Sequence, residues 1–355
     1  MKLYSSIIPY LLLVTFSSGT ISNFDSSKLY SINNSAYDGI ALALIRHYEV
    51  QKINELNIKQ NIELLKNNSH KHIWPWVFFN RFIGYREEGK PASSLARKDY
   101  FSNIKGIDVY NHAGALNDFY DIFRFSLKLA RNLNTPGIVV DPEIYNSLKA
   151  YSVSYVASEL NKPKDEVIRS LRNIGADLAD ITHQEYPEAI LWFFFTGLGY
   201  PYTFLNPQDY GTLRTCSYII QGLLDRAKER NYNFIVVSGG ELGLGYCYKS
   251  LGDLVSRINS RNSACKNILS NYHQLQLGGT IALWDNHLLK KGWFLKGKCG
   301  ASRIYNLEGF QPLLKHLSQS YKYIYIYNSW GTGYNPFNLN SSIKYNSFLN
   351  QIKIK

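Results

Sequence analysis

The chain alternates short apolar runs, rich in β-branched and aromatic residues, with longer stretches in which apolar residues recur at three-four spacing. Runs of the first kind lie at Gly39 to Arg46, Ile73 to Asn80, Gly106 to Tyr110, Gly137 to Glu143, Ala189 to Thr196, Phe234 to Ser238, Thr280 to Asp285 and Tyr323 to Asn328, eight in all. Helical periodicity is clearest at Val50 to Lys66, Asp118 to Asn132, Lys164 to Ala179, Leu213 to Arg230, Leu251 to Leu269 and Phe310 to Ser318. Ile122, Phe125, Leu129 and Leu133 fall on one stripe of such a helix. Almost continuous apolar strands, such as Ile190 to Phe195, suit a parallel sheet covered by helices. Strand starts spaced roughly 30 to 50 residues apart suit one β/α unit each. The pattern predicts an α/β fold, a (β/α)8 barrel in a single domain.

The first residues read differently. A charged start at Lys2, an apolar run from Ile7 to Phe16 and small residues at Ser17, Ser18 and Gly19 match a secretory signal. This predicts a signal peptide over 1–19, a barrel domain over 20–335 and a C-terminal extension over 336–355. The expected location is secreted or extracytoplasmic. No later apolar stretch reaches the roughly 18 to 20 residues that a transmembrane segment needs. Export makes disulfides chemically reasonable, and at least one is expected among Cys247, Cys265 and Cys299, with Cys216 the fourth cysteine. Asn33, Asn67 and Asn340 head N-x-S sequons.

Charge adds little. The formal net charge of +12 favours contact with anionic surfaces. Its densest segment, Lys290, Lys291, Lys296 and Lys298 around Trp293 and Phe294, suits either a grip on an anionic polymer or a solvated loop. No motif points to a specific nucleic acid. The cysteines lack CxxC spacing, the histidines are dispersed without HExxH, and the Gly-rich loop at Gly239, Gly240, Gly243 and Gly245 lacks the Lys and Ser/Thr of a phosphate cradle. No metal and no cofactor are expected.

In a barrel, chemistry sits where strands end. Asp141 and Glu143 close Gly137-Ile-Val-Val, Glu241 follows Phe234-Ile-Val-Val-Ser238, Asp285 follows Trp284, and Asn328 leads into Trp330. Asp141 and Glu143 are two apart, so on a continuing strand both point to one face. Neighbouring carboxyls resist joint ionisation, so one can keep a proton for general acid work on a leaving sugar oxygen. Tyr145, Trp76, Trp284, Asn328 and Trp330 are the candidate substrate contacts, because flat rings stack on the C–H faces of sugars.

Gly137-Ile-Val-Val-Asp141-Pro-Glu143-Ile-Tyr145 is similar to the fourth-strand motif of family 18 chitinases, which ends Asp-x-Glu. That resemblance implies Glu143 as the acid and Asp141 as its partner. The two earlier acidic positions of the motif hold Pro136 and Val139 here, and Pro142 replaces the usual aromatic. A second resemblance, to the large retaining clan of barrel glycosidases, gives Glu143 the same role. It leaves Glu241, with Asp285 behind it, as the second carboxylate. Asn328-Ser-Trp-Gly331-Thr-Gly333 is similar to the asparagine segment of papain-like cysteine proteases, but no cysteine sits in that family's helix-opening context. The expected function is a secreted glycoside hydrolase acting on an oligosaccharide or polysaccharide. The alternative is a glycan-binding barrel without catalysis.

Overall fold

The computed structural model describes residues 10–15, 29–35, 37–43, 55–78, 113–142, 152–194, 196–198, 215–241, 243–246, 248, 250–282 and 307–328. Apolar runs form the strands β1 (Tyr10–Thr15), β2 (Gly39–Ala43), β3 (His72–Phe78), β4 (Gly137–Asp141), β5 (Ile190–Phe193), β6 (Ile235–Ser238), β7 (Leu275–Leu277), β8 (Gly279–Ala282) and β9 (Tyr323–Asn328). Stretches of helical periodicity form α1 (Leu29–Asn33), α2 (Glu55–Asn68), α3 (Ala113–Asn132), α4 (Val153–Leu160), α5 (Lys164–Glu185), α6 (Thr215–Glu229), α7 (Leu251–Asn271) and α8 (Leu307–Ser320).

Neighbouring strands pair in parallel, in the order β7-β6-β5-β4-β3-β2-β1-β9-β8. The two ends of that order are separated in sequence by Gly278 alone. β7 and β8 therefore share one strand position, bound to β6 on one side and β9 on the other. The sheet runs full circle through eight positions, and with helices in its crossovers it is a (β/α)8 barrel.

Alternation along each strand divides two cores. On β4, Ile138 and Val140 join the core beneath the helices, whereas Val139 joins the barrel interior. That interior is unusually aromatic for a fold whose barrels are filled mainly by branched aliphatics. β3 contributes Trp74 and Trp76, β5 and its end Trp192 and Phe194, and β9 Tyr323 and Tyr325. Small residues on β2, Gly39 and Ala41, make room for them. A Cβ on Gly39 would lie 2.8 Å from both the Trp74 Nε1 and the Tyr10 hydroxyl. Outside the barrel, α5 and α6 touch through Gly175 and Gly222, each set against the other helix's backbone.

Two expectations change and a third is narrowed. Residues 10–15, inside the run that matches a signal's apolar core, form β1 between β2 and β9, so the barrel begins ahead of residue 20. Gly106 to Tyr110 lies outside the described residues, and because β3 pairs directly with β4, no position between them is left for it. Cys265 is a buried free thiol on the core side of α7, so it forms no disulfide here. Cys216 is also a buried thiol, while Cys247 and Cys299 lie outside the described residues. Among the described residues, no helix is long and apolar enough to cross a membrane.

Candidate functional site at the barrel mouth

Parallel strands all point their carboxyl ends to one rim, where the end of β4 and the loop after β6 place carboxylates. Asp141 ends β4 with the parity of inward-facing Val139 and is only 2% exposed. Glu241 stands in the Gly-rich loop after β6. Its backbone N–H donates to the Phe194 carbonyl at 3.2 Å, which fixes it against the end of β5. Its Oε2 accepts a hydrogen bond of 3.3 Å from the phenol of Tyr325, an inward residue in the middle of β9.

Tyr325 is fully buried, and its ring stacks on Phe194 at 4.4 Å. Its hydroxyl also lies 3.2 Å from that of Tyr246. Tyr246 belongs to the same loop as Glu241, its ring lies 5.1 Å from that of Tyr327, and its carbonyl accepts from the Ala282 N–H at 3.0 Å. The loop after β6 is thereby tied across the rim to the ends of β8 and β9. A carboxylate held by a phenol among aromatic rings results.

Beneath this loop lies Arg261 of α7, with no exposure. Its guanidinium donates to the carbonyls of Ser238 and Gly278, at 2.8 and 2.5 Å, and to the Ser238 hydroxyl at 2.9 Å. The Ser238 hydroxyl in turn meets that of Thr196 at 2.7 Å. Gly240, with φ of 89°, passes so close to the guanidinium that a side chain there would strike it, and a Cβ on Gly243 would press on Cδ and Nε of Arg261 at 3.0 and 3.1 Å. The glycines of the loop thus admit Arg261, and Arg261 ties the end of β6 to the break between β7 and β8.

The opposite rim is also built from aromatic and polar groups. Trp74 Nε1–H donates to the Tyr10 hydroxyl at 2.8 Å, and that hydroxyl lies 2.8 Å from His72 Nδ1. Burial holds the His72 imidazole below its ordinary pKa, with the Asp38 carboxylate opposing the shift. This is the amino-end face, where a barrel keeps stability more than chemistry.

Of the expected site residues, Asp141 and Glu241 both belong to the carboxyl-end rim, on strand positions separated by β5. Trp76 is 2% exposed and meets the Phe194 ring edge-on at 5.7 Å, so it packs inside the barrel. Asn328 ends β9 in register with Thr15. Glu143, Asp285, Tyr145, Trp284 and Trp330 lie outside the described residues. Sequence reasoning missed Tyr325 and Tyr246, although the Tyr-x-Tyr-x-Tyr alternation of Tyr323 to Tyr327 was a usable sign of one phenol-bearing face. Arg261 carried no sign beyond a cation on an otherwise polar helix. Among the described residues, no cluster of His, Cys, Asp and Glu side chains is suited to a metal.

No protein-family model and no curated protein matches the chain. Solved structures do resemble it in fold. A glycoside hydrolase family 5 enzyme from Prevotella bryantii is 9% identical, with a TM-score of 0.49 over 99% of this chain and 97% of its own. The IOLI protein with a bound zinc atom is 12% identical, with a TM-score of 0.43 over 97% and 96%. Endonuclease IV from Thermus thermophilus is 10% identical, with a TM-score of 0.43 over 98% and 99%.

Proposed function

We propose that this barrel is a glycoside hydrolase-like enzyme that cleaves glycosidic bonds of an oligosaccharide or polysaccharide. The observation that carries the reading is the Glu241 carboxylate at the carboxyl-end rim, bonded by the Tyr325 phenol among aromatic rings. Glu241 takes the nucleophile or base role in this reading, and the proton donor is a second carboxyl. Glu143 takes that role, with Asp141 orienting it and Asp285 as a further candidate. β4 and β6 flank β5, so their axes lie about 10 Å apart. Carboxyls projecting from two such strands can flank one glycosidic bond, which requires a separation of roughly 5 to 10 Å. Tyr145, Trp284, Asn328 and Trp330 are the proposed sugar contacts, and the protein's own side chains supply this chemistry without a cofactor.

The test is a screen of the purified full chain against a panel of glycans, read for both cleavage products and binding. Reducing-end release that disappears in Glu241→Gln supports the proposal. Binding without cleavage by any panel member would favour the glycan-binding barrel, and neither binding nor cleavage would remove both readings.

A further inference from the structure

The apolar run at the start of the chain has two incompatible uses. A signal peptide presents an apolar stretch of about 7 to 15 residues, to be cut away afterwards. A central strand of a helix-covered parallel sheet presents an apolar stretch as well, but stays. From the placement of Tyr10–Thr15 we infer that this segment is retained in the mature, folded protein as a barrel strand and is not removed with a leader.

Four observations support retention. β1 pairs along its whole length with β9, from Tyr10 opposite Tyr323 to Thr15 opposite Asn328, and also with β2, from Leu12 opposite Gly39 to Val14 opposite Ala41. Its two faces serve both cores: Leu11 packs beneath the helices and Leu12 inside the barrel, each with no exposure. Its backbone is tied to the turn before β2, where Asp38 accepts from the Leu11 N–H at 2.7 Å through Oδ2 and donates its own N–H to the Leu11 carbonyl at 2.9 Å. Finally, the Tyr10 hydroxyl is the hydrogen-bond acceptor of the buried Trp74 indole.

Cleavage near residue 19 would therefore do more than shorten the chain. It would turn the facing sides of β2 and β9 into edges with unpaired backbone groups. It would also leave the Trp74 N–H without its acceptor and open a groove along the interior where Tyr10 and Leu12 had been. A strand at the rim of an open sheet can be spared; this one closes the ring.

Two measurements test the inference. In the first, the full chain is expressed in a secretion-competent host, and the folded protein from every fraction is analysed by intact mass and peptide mapping. Residues 10–15 are expected in all of it. Cooperatively unfolding protein whose N-terminus lies at or beyond residue 16 would overturn the inference. In the second, Leu12→Ala is introduced into the full chain made without export. A strand residue with no exposure predicts a melting midpoint lower by about 3 to 7 °C, whereas an unchanged midpoint would show that the segment is not part of the fold. Neither result depends on any activity towards glycans.

Discussion

The Tyr325 phenol donates to Glu241 Oε2 at 3.3 Å, and this bond joins β9 to the loop after β6 across the carboxyl-end rim. Tyr325→Phe removes the donor while keeping the ring stacked on Phe194. A hydrogen bond to a charged group contributes about 1.5–3 kcal/mol, so turnover of the identified glycan should fall roughly 10-fold or more. Stability should change far less than for loss of the ring. Paired kinetics and urea melts separate the two effects, and unchanged turnover would remove Tyr325 from the site.

Arg261 is a buried cation whose work is to satisfy carbonyls. Arg261→Met removes the guanidinium donor from the Gly278 carbonyl, while the Ser238 carbonyl keeps the Gly278 N–H at 2.7 Å; an unsatisfied buried group costs about 1–3 kcal/mol. The expected result is a lower melting midpoint together with faster amide exchange at residues 238–246. Exchange that stays protected there would show that the loop is held by other means.

Gly222 sets two opposing effects against each other. Alanine is favoured over glycine in a helix by about 1 kcal/mol, but here its methyl would fall on the Arg172 backbone of α5. Overpacking against groups that cannot move costs about 1–3 kcal/mol or more, so Gly222→Ala should destabilise despite its better propensity. A urea midpoint equal to or above the parent's would contradict the close helix crossing.

His72 gives a pH dependence with a definite sign. Its folded-state pKa lies below the ordinary 6.5 because burial disfavours the charged ring. The unfolded chain then binds the proton more readily, so the contribution of neutral His72 is full above about pH 6.5 and is lost as pH falls from there through the folded value. Denaturant midpoints between about pH 7.5 and 5 should fall more steeply for the parent than for His72→Gln. Parallel profiles would refute this.

The barrel was legible wherever a strand is buried on both faces and followed by an amphipathic helix. Tyr323 to Asn328 is β9 with the same limits, and Gly137 to Asp141 and Gly39 to Ala43 lie within their expected runs. β1 was not legible as a strand, because a short apolar run near the N-terminus satisfies the signal and strand patterns equally and only its pairing partners distinguish them. The strand expected at Gly106 to Tyr110 has no position between β3 and β4, which pair directly. Trp76 illustrates a second limit: a tryptophan near a strand end carries no sign of whether it packs beneath the mouth or lines it. The Glu241 position was visible from its apolar lead-in, but its partner Tyr325 lies 84 residues away, a juxtaposition that only the closed ring creates.

The central claim is carboxyl-based glycoside cleavage with Glu143 as proton donor, and a single substitution addresses it. A glycosidic oxygen is a poor leaving group, so the natural substrate needs protonation whichever group attacks the sugar. Glu143→Gln keeps size and polarity but removes the proton. Turnover of the natural glycan should drop about 10² to 10⁴-fold, while aryl glycosides with activated leaving groups should be partly spared and the melting midpoint unchanged. Undiminished cleavage of the natural glycan by Glu143→Gln would contradict the account and remove Glu143 from the acid role.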